Sequence, residues 1–340
     1  MVSVILLNYN GRKNLGDLLE GCLESVLNTD YPNFEVLFVD NASTDDSVQF
    51  IERKIGRNKR LRIIKNEKNF GFAEGNNIGI RNAKGEYIAL LNNDTKVDPK
   101  WLKELVKAIQ QPEIGAAQSK LLQMDNPDLL DCAGGFVDYY GYSYSRGHGQ
   151  KAHKYNRIDD IFYAKGAAFI VKQEVLKRVG LFDPETFMYY EETDLCWRIW
   201  LNGYRIVFVP SSIIYHAPGS TISTLQEQTS LYFLTKNHML TLIKNYGMKN
   251  MLKALTAFLF LELRKAIALI PRRKQNSSFA IIRALMWNLF HLKYIWERRQ
   301  ITQKLIRRIP DESIKGLMYK PFPPFPHSLI FPKSRYLRKT

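Results

Sequence analysis

The sequence predicts an α/β protein in which a single, doubly wound and mostly parallel sheet is followed by a helical C-terminal extension. First, short apolar runs alternate with segments of helical periodicity through residue 115, which is the pattern of βαβ units. Second, several of these runs end in Asn or Asp, as expected where ligands meet the carboxyl edge of such a sheet. Third, residues 241–340 contain 21 Lys and Arg but only 4 Asp and Glu, whereas residues 1–240 contain 28 and 29.

The composition excludes several other classes of protein. Hydrophobic residues make up 45% of the 340 residues, so a large core can be buried and wholesale disorder is excluded. Cys22, Cys132 and Cys196 lie far apart, which argues against a disulfide framework or a zinc site and indicates a reducing compartment. Residues 2–7 are apolar but lack a positively charged leader, so they predict a first strand and not a signal peptide.

The first part of the chain contains four predicted strands. Each is a short apolar run bounded by turn residues, and helices with apolar residues three and four apart separate them. The predicted strands are 2–7, 35–39, 61–65 and 87–91, and the predicted helices are 14–26, a short helix ending at 83, and 100–109. A dinucleotide-dependent dehydrogenase would alternate in the same way, and Asp40 could serve as its ribose-binding acid. However, the turn after the first strand reads Asn8-Tyr9-Asn10-Gly11 and lacks the G-x-G-x-x-G fingerprint of that class.

After residue 115 the pattern loosens. The segment 138–149 is rich in Tyr, Gly and Ser and is expected to be irregular. Strands are predicted at 162–171, 205–209 and 213–216, and helices at 173–179 and 193–201. We therefore expect three units, with the sheet domain divided into residues 1–115 and 116–225 and an amphipathic helical extension over 226–340.

Acidic residues and one histidine stand at predicted strand or loop ends. They are Asp40, Asp94, Glu191, Glu192, Asp194 and His216. Each has a plain structural interpretation, as a turn residue, a helix-start acid, a solvated acid or a buried core histidine. Their order along an α/β chain favours a site instead.

Six segments together resemble the family 2 glycosyltransferases with a GT-A fold, especially the rhamnosyltransferase-like branch. They are VSVILLNYNG from residue 2, VDNASTDDS from 39, NFGFAEGNN from 69, LLNNDT from 90, the long stretch from KGAAF at 165 to WRI at 199, and YHAPGST from 215. The resemblance implies a Rossmann-like nucleotide-sugar half, 1–115, and an acceptor half, 116–225.

The resemblance implies a divalent metal, Mg or Mn, at the end of the fourth strand. Asp94 matches the family's metal-binding motif, and His216 matches a second protein ligand. The family often has two acids in this motif, whereas Asn92 stands at the first position here. Asp94 is therefore expected to be the sole carboxylate ligand, with Asn92 and Asn93 as neutral neighbours.

The resemblance also implies a nucleotide-binding pocket. Asp40 matches the acid that accepts a hydrogen bond from the pyrimidine ring, and it does not distinguish uracil from thymine. The other residues implied in nucleotide or sugar binding are Leu7, Tyr9, Asn10, Asn69, Gly71, Gly75, Asn76, Asn92 and Asn93. Of these, Asn69, Gly71, Gly75 and Asn76 are expected to form a loop near the diphosphate and sugar.

The reaction implied is transfer of a sugar, rhamnose or another hexose, from a UDP- or dTDP-sugar to a hydroxyl of a glycan or lipid-linked saccharide. An acceptor hydroxyl needs a base. Glu192 matches the base position, Glu191 is its rival, and Asp194 is expected to be an orienting or structural acid. Direct attack implies inversion at the anomeric carbon. The alternative is a weak or inactive sugar-nucleotide or membrane-binding protein that retains the fold.

The basic C-terminal extension predicts contact with an anionic partner. Its apolar stretches, 254–261 and 279–296, contain no charge-free run near the roughly 20 residues that a spanning helix needs. Interfacial helices on an anionic membrane surface, formed by 245–340, are favoured over a spanning pair or helices that only pack on the domain. Nucleic acid ranks lower because no nucleic-acid-binding fold is recognised. The Pro-rich end, 319–332, is expected to be extended. We thus expect a cytoplasmic protein, peripheral on the inner face of the cell membrane.

Overall fold

One mixed sheet organises the chain in the computed structural model, which describes residues 1–56, 58–217 and 226–319. Its strands are β1 (Val2–Asn8), β2 (Phe34–Asp40), β3 (Leu61–Lys65), β4 (Tyr87–Asn92), β5 (Thr95–Val97), β6 (Ile114–Gln123), β7 (Leu130–Cys132), β10 (Asp159–Asp160), β11 (Ala168–Lys172) and β12 (Arg205–His216). A separate hairpin consists of β8 (Gly135–Val137) and β9 (Ser143–Ser145).

Helices flank the sheet and then continue beyond it. Those of the sheet domain are α1 (Gly11–Leu15), α2 (Leu18–Leu27), α3 (Ser47–Ile55), α4 (Gly71–Asn82), α5 (Trp101–Ile109), α6 (Gln173–Val179) and α7 (Glu191–Leu201). The extension contains α8 (Glu227–Asn245), α9 (Met248–Leu269), α10 (Gln275–Phe290) and α11 (Leu292–Gln300), followed by a π-helical turn, Ile301–Ile306.

The strand order is β3-β2-β1-β4-β11-β6-β12-β10, with β5 beside β12 and β7 beside β6. The pairs β3–β2, β2–β1, β1–β4 and β6–β12 are parallel, and β11 lies antiparallel between β4 and β6. This confirms the predicted α/β class, with a mostly parallel sheet and a helical C-terminal region.

The two faces of the sheet bury two apolar layers. Successive side chains point to opposite faces, so Leu6 and Phe38 pack with Trp101 on one side, whereas Ile5 and Val39 pack with the layer that includes Trp197 on the other. Helices therefore cover both faces, which explains why the central strands are almost continuously apolar.

Two predicted elements are divided or joined in the structure. The helix predicted over 14–26 is two helices, because Gly16 between them adopts a positive φ of 57°. The strands predicted over 205–209 and 213–216 are one strand, β12, whose pairing with β6 shifts register between Val209 and Ile213. Pro210 lies in this irregularity, where its missing N–H is tolerated.

Two further elements differ from prediction in extent. Strand β6, which lies between β11 and β12, was not predicted, and the expected boundary between residues 115 and 116 falls inside it. The strand predicted over 162–171 is confined to Ala168–Lys172, since the chain forms a turn at residues 166 and 167 before β11 begins.

The extension packs on the sheet domain through α8. Lys244 of this helix forms buried ion pairs with Asp183 at 2.6 Å and Asp194 at 3.1 Å. Helices α9 and α10 pack against α8 and each other. Within the described residues, no helix is both long and apolar enough to cross a membrane. The predicted extended end lies outside the described residues beyond Tyr319, as do residues 218–221 of the YHAPGST segment.

Candidate active site

The carboxyl ends of neighbouring strands bring the predicted nucleotide residues to one edge of the sheet. In the register of β1 with β2, Asn8 lies opposite Asp40. In the register of β1 with β4, Leu7 lies opposite Asn92. Parallel pairing therefore places segments far apart in sequence side by side, at the edge where open α/β sheets bind ligands.

Asn8 joins the predicted nucleotide acid to the predicted metal motif. Its Nδ2 donates to Asp40 Oδ1 at 2.9 Å, and its Oδ1 accepts from Asn93 Nδ2 at 2.9 Å. Asp40 also accepts from the hydroxyl and backbone N–H of Ser43. A Cβ at Gly11 would come within 2.1 Å of Asn8 Oδ1, so glycine is needed for this bridge to form.

Leu7, Tyr9 and Asn10 follow one another at this edge. Tyr9 is 38% exposed, and Leu7 is partly buried. Asn10 adopts a left-handed conformation, with φ 51°. Its N–H donates to Ser43 Oγ at 2.9 Å, and its Oδ1 accepts from Thr44 N at 2.7 Å. Asn10 thus ties together the loops that follow β1 and β2.

The loop predicted to approach the diphosphate is shorter than expected. Asn69 lies in it, and Gly71, at φ 75°, is the first residue of helix α4, with its N–H donating to Asn69 Oδ1 at 2.8 Å. Gly75 and Asn76, however, belong to helix α4, so their assignment to a loop is wrong. Asn76 donates to the Phe72 carbonyl one turn earlier, at 2.8 Å. Helix α4 begins at Gly71 and so takes in most of the segment that was expected to be a loop.

Asp94 and His216, the two expected metal ligands, lie side by side. The pairing of β12 with β5 sets His216 opposite Thr95, and the His216 Nε2–Asp94 Oδ1 distance is 3.3 Å. Both residues are buried: His216 is 5% exposed and Asp94 is 7% exposed. Burial alone lowers the pKa of His216, but hydrogen bonds to Asp131 and Asp94 outweigh it and raise the pKa to about 9.

Asp131, which the sequence analysis did not identify, holds the other side of the imidazole. His216 Nδ1 lies 2.9 Å from Asp131 Oδ2, and Asp131 is fully buried. His148 and Lys165 lie 3.4 Å from the same carboxylate. Burial raises the pKa of Asp131, but these hydrogen bonds and the Lys165 charge hold it well below its usual range. Asp131 is therefore a buried charge with several compensating partners.

The donor set at Asp94 fits a divalent cation that shares its coordination with a substrate. A carboxylate oxygen suits Mg²⁺ or Mn²⁺, and the imidazole nitrogen favours the softer Mn²⁺ of the two. An Nδ1–H held by a carboxylate leaves Nε2 to bind metal. Across the described parts of the chain, no group of three or more His, Cys, Asp or Glu is arranged as a complete metal site. Phosphate oxygens would therefore have to supply the remaining ligands.

Glu191 and Glu192 form a second acidic pair, at the start of α7. Glu192 is partly buried, and its Oε1 accepts from the Gly166 N–H at 2.9 Å. Glu191 is 4% exposed, and its Oε2 has no hydrogen-bond partner among the described residues. Burial raises the pKa of Glu192, and burial together with the Glu192 charge raises that of Glu191 well above normal. Glu191 is thus suited to hold a proton and Glu192 to exchange one.

The tripeptide Lys165-Gly166-Ala167 connects the two acidic groups. Lys165 Nζ faces Asp131, the Gly166 N–H binds Glu192, and the Ala167 carbonyl accepts from the Asn92 N–H at 3.1 Å. A Cβ at Gly166 would come within 2.5 Å of Glu192 Oε1. The short turn before β11 therefore fixes the pair at Glu191 beside the end of β4.

Asp194 points away from this edge. Its Oδ2 accepts from Arg198 at 2.9 Å and from Lys244 at 3.1 Å, and its Oδ1 accepts from Asn245 at 2.9 Å. Burial raises the pKa of Asp194, but the Lys244 and Arg198 charges outweigh this and lower it. Asp194 therefore joins α7 to α8.

The loop directly before Glu191 is strained. Phe187, Tyr189 and Tyr190 have φ of 59°, 68° and 68°, a region that costs energy for residues other than glycine. The buried Asn237 of α8 holds the loop, since its Nδ2 lies 2.7–2.8 Å from the carbonyls of Thr186, Met188 and Tyr189. The helical extension thus supports the conformation of the acidic pair.

The residues that the sequence analysis missed share one property. Each of Asn8, Asp131 and Asn237 has a hydrogen-bond partner 32 or more residues away. Asn8 was visible as part of an Asn-rich turn after a strand, but the sequence offered no signal for the partners of Asp131 or Asn237.

One relative of the chain is a protein of O-antigen biosynthesis. The chain is 30% identical over 225 residues to the O-antigen biosynthesis protein RfbC of Myxococcus xanthus, which covers 61% of this chain and 17% of RfbC. It spans less than half the length of this and two further curated relatives.

Solved structures show the same fold. The crystal structure of GalNAc-T7 with UDP, GalNAc and Mn²⁺ has a TM-score of 0.60 at 16% identity, covering 86% of this chain and 57% of that one. Staphylococcus aureus TarS 1–349 with UDP-GlcNAc has a TM-score of 0.56 at 17% identity, covering 94% and 92%. The fold is of the GT-A class, as predicted.

The family model described as "Glycosyl transferase family 2" matches residues 3–179. That range takes in β1 to β4, the Asp94 motif and the Lys165-Gly166-Ala167 turn, over more than half of the chain. With the sheet order and the edge cluster in agreement, the chain belongs to glycosyl transferase family 2.

Proposed function

We propose that the chain is an inverting, metal-dependent glycosyltransferase that moves rhamnose or another hexose from a UDP- or dTDP-sugar to a hydroxyl of a glycan or lipid-linked saccharide. The observation that carries the proposal is that the Asp94–His216 pair and the Glu191–Glu192 pair are joined through the turn at Gly166. One pair suits a diphosphate with its cation, and the other suits a hydroxyl proton.

The donor would lie along the edge formed by β1, β2 and β4, in the half that we assign to residues 1–115. Asp40 would accept from the pyrimidine N–H, and the loop at Asn69 and Gly71 would approach the diphosphate. Asp94 and His216 would hold Mg²⁺ or Mn²⁺ together with the phosphates. When bound there, the cation neutralises charge that develops on the leaving nucleotide.

The acceptor would enter through the half that we assign to residues 116–225. Glu192 takes the proton of the attacking hydroxyl, since the residue is only partly buried and burial of its carboxylate raises its pKa. Burial and the Glu192 charge raise the pKa of the neighbouring Glu191, which favours its protonated form and so limits repulsion within the pair. Attack from the face opposite the leaving nucleotide inverts the anomeric carbon.

A nucleotide-release assay tests this proposal. UDP- and dTDP-hexoses are supplied with Mn²⁺ and a saccharide acceptor, and released nucleotide is measured alongside the anomeric configuration of the product. We expect acceptor-dependent release from one donor and an inverted product. A retained configuration contradicts the mechanism. Thermal stabilisation by UDP or dTDP without any release supports the inactive, ligand-binding alternative.

We further propose that the extension, residues 226–340, rests through residues 245–340 on the anionic inner face of the cell membrane, with the enzyme cytoplasmic and peripheral. Helices α9 and α10 each carry an exposed apolar stripe at helical spacing. The α9 stripe is Met248, Leu252, Phe260, Leu263 and Ile267, and the α10 stripe is Phe279, Ile282, Met286, Leu289 and Phe290. Basic residues in the same segment suit anionic lipid headgroups.

Vesicle co-sedimentation tests the membrane proposal. We expect binding to vesicles that contain phosphatidylglycerol, weaker binding to phosphatidylcholine vesicles, and loss of binding in a Phe260→Asp/Phe279→Asp double variant. Ile158→Asp, which alters a residue 57% exposed on the sheet domain, serves as control. Equal binding by the double variant and the control contradicts the proposal, as does stronger binding to RNA or DNA than to anionic vesicles.

A further inference from the structure

A groove of about 420 Å³ lies between α8 and α10. It is lined by Tyr232, Arg283, Met286, Trp287, Phe290 and His291. Its volume lies in the range of small-molecule sites, and aromatic walls with a few polar groups are typical of such sites. None of the six lining residues is acidic.

The polar side of the groove carries positive charge. The Arg283 guanidinium lies 4.5 Å from the centre of the Tyr232 ring, and no acidic side chain among the described residues forms an ion pair with it. Behind the wall, the buried Lys236 Nζ lies 4.6 Å from the centre of the Trp287 ring. The groove therefore suits an anion, and an arginine fork binds phosphate oxygens especially well.

The other side of the groove opens onto an apolar surface. Met286 is 39% exposed and Phe290 76% exposed, and both also belong to the α10 stripe. An occupant with a charged head and an apolar chain would thus find both chemistries in one place. A free phosphate would leave the apolar wall uncovered.

The groove is coupled to the loop before the proposed base. Phe233 of α8 stacks on Phe187, with ring centres 5.2 Å apart and planes 15° apart. Tyr189 OH lies 3.1 Å from Ser230 Oγ, and Lys236 Nζ donates to the Glu185 carbonyl. The helix that forms one wall of the groove therefore also contacts the loop leading into Glu191 and Glu192.

We propose that this groove binds the diphosphate and first apolar segment of a lipid-linked saccharide acceptor, with Arg283 at the phosphates and Met286 and Phe290 along the chain. The inference rests on the proposed transfer to such an acceptor. It names the lipid diphosphate as the recognised part and assigns it to the C-terminal extension, apart from the donor edge.

Farnesyl diphosphate is a suitable soluble probe for this site. Its binding to the full chain is followed by calorimetry in the presence of saturating UDP and Mn²⁺, so that the donor edge is already filled. We expect wild type to bind it, and farnesol and inorganic diphosphate each to bind about ten-fold more weakly. Arg283→Ala should lower the affinity for farnesyl diphosphate by about ten-fold or more, because a charge-assisted contact is lost.

Two further variants complete the test. Met286→Asp places a carboxylate in the groove and should weaken the binding of farnesyl diphosphate by a similar factor. Lys253→Ala removes an exposed cation on α9 and should leave this binding unchanged. No binding by wild type, equal binding by Arg283→Ala, or an equal loss in Lys253→Ala overturns the inference. Binding of UDP is measured on the same samples, so a failure of the proposed donor site is recognised separately.

Discussion

Two acidic groups in the same molecule have opposite electrostatic surroundings. Around Asp94 and Asp131, His216, His148 and Lys165 supply hydrogen bonds and positive charge. Around Glu191 and Glu192 burial dominates: Glu192 Oε1 accepts from the Gly166 N–H, and Glu191 Oε2 has no hydrogen-bond partner among the described residues. Hydrogen bonds and the Lys165 charge therefore outweigh burial and lower the pKa of Asp131, whereas burial raises the pKa values of Glu191 and Glu192.

The difference explains how one edge of a sheet can serve two chemistries. Holding a cation and a diphosphate requires carboxylates that stay charged throughout. Taking a proton requires a carboxylate whose affinity for protons is raised, so that transfer is matched to the operating pH. The Lys165-Gly166-Ala167 turn contacts both groups. It therefore holds them next to each other, although their electrostatic surroundings differ.

Asp94→Ala should have the largest effect because it removes the carboxylate proposed to hold the cation. We expect sugar transfer to fall by about 1000-fold or more. Calorimetry with Mn²⁺ in the presence of UDP should show loss of metal binding. Asp30→Ala, at an exposed position, is the matched control. Near-normal transfer by Asp94→Ala would show that Asp94 does not hold the metal, and the contrast drawn between the two acidic groups would then be wrong.

Glu192→Gln should abolish transfer while UDP binding is preserved, with an expected loss of about 1000-fold for a removed base. The wild-type pH profile checks the same assignment. Since the base must be ionised and burial raises its pKa, kcat/KM should fall as pH decreases through a value above the roughly 4.3 of an ordinary Glu. Glu174→Gln, at an exposed position, is the control. Glu191→Gln should lower transfer less than Glu192→Gln does. A larger loss in Glu191→Gln than in Glu192→Gln would make Glu191 the base.

Local pattern predicted the first half of the fold well and the long-range partners poorly. Strands β1 to β4 are apolar runs with clear turn residues at each end, so they could be recognised. Strand β6 contains Gly115, Ala116, Ala117, Gln118 and Ser119, a run too polar and small to stand out, although β11 and β12 bury it. Asp94 and His216 were predicted by resemblance, whereas the partners of Asp131 depend on how β7, β12 and the turn at Lys165 come together.

Asp131→Asn should lower affinity for Mn²⁺, measured with UDP present, by about ten- to a hundred-fold. The carboxylate holds His216 through Nδ1, and the neutral amide does so less strongly and can also donate. Nitrogen NMR of the histidine rings in the metal-free protein gives a second measurement, in which the His216 signals should change. Asp138→Asn is the control, since Asp138 is also buried but accepts from Tyr144 and backbone N–H groups. Unchanged affinity and an unchanged His216 spectrum would show that Asp131 has only a structural role.

Asn237→Ala should have the smallest effect, because it leaves both acidic groups chemically intact and alters only the support of the strained loop before them. We expect kcat to decrease by about ten-fold as Glu192 becomes less well positioned, while KM for the donor, whose proposed site lies on β1, β2 and β4, stays unchanged. Asn288→Ala removes another buried amide of the extension, one that donates to the carbonyls of Lys236 and Ala284. Both variants should unfold at a lower temperature, since each removes buried hydrogen bonds from an amide side chain to backbone carbonyls. If Asn237→Ala lowers only the melting temperature, as Asn288→Ala should, then the extension stabilises the protein without positioning its base.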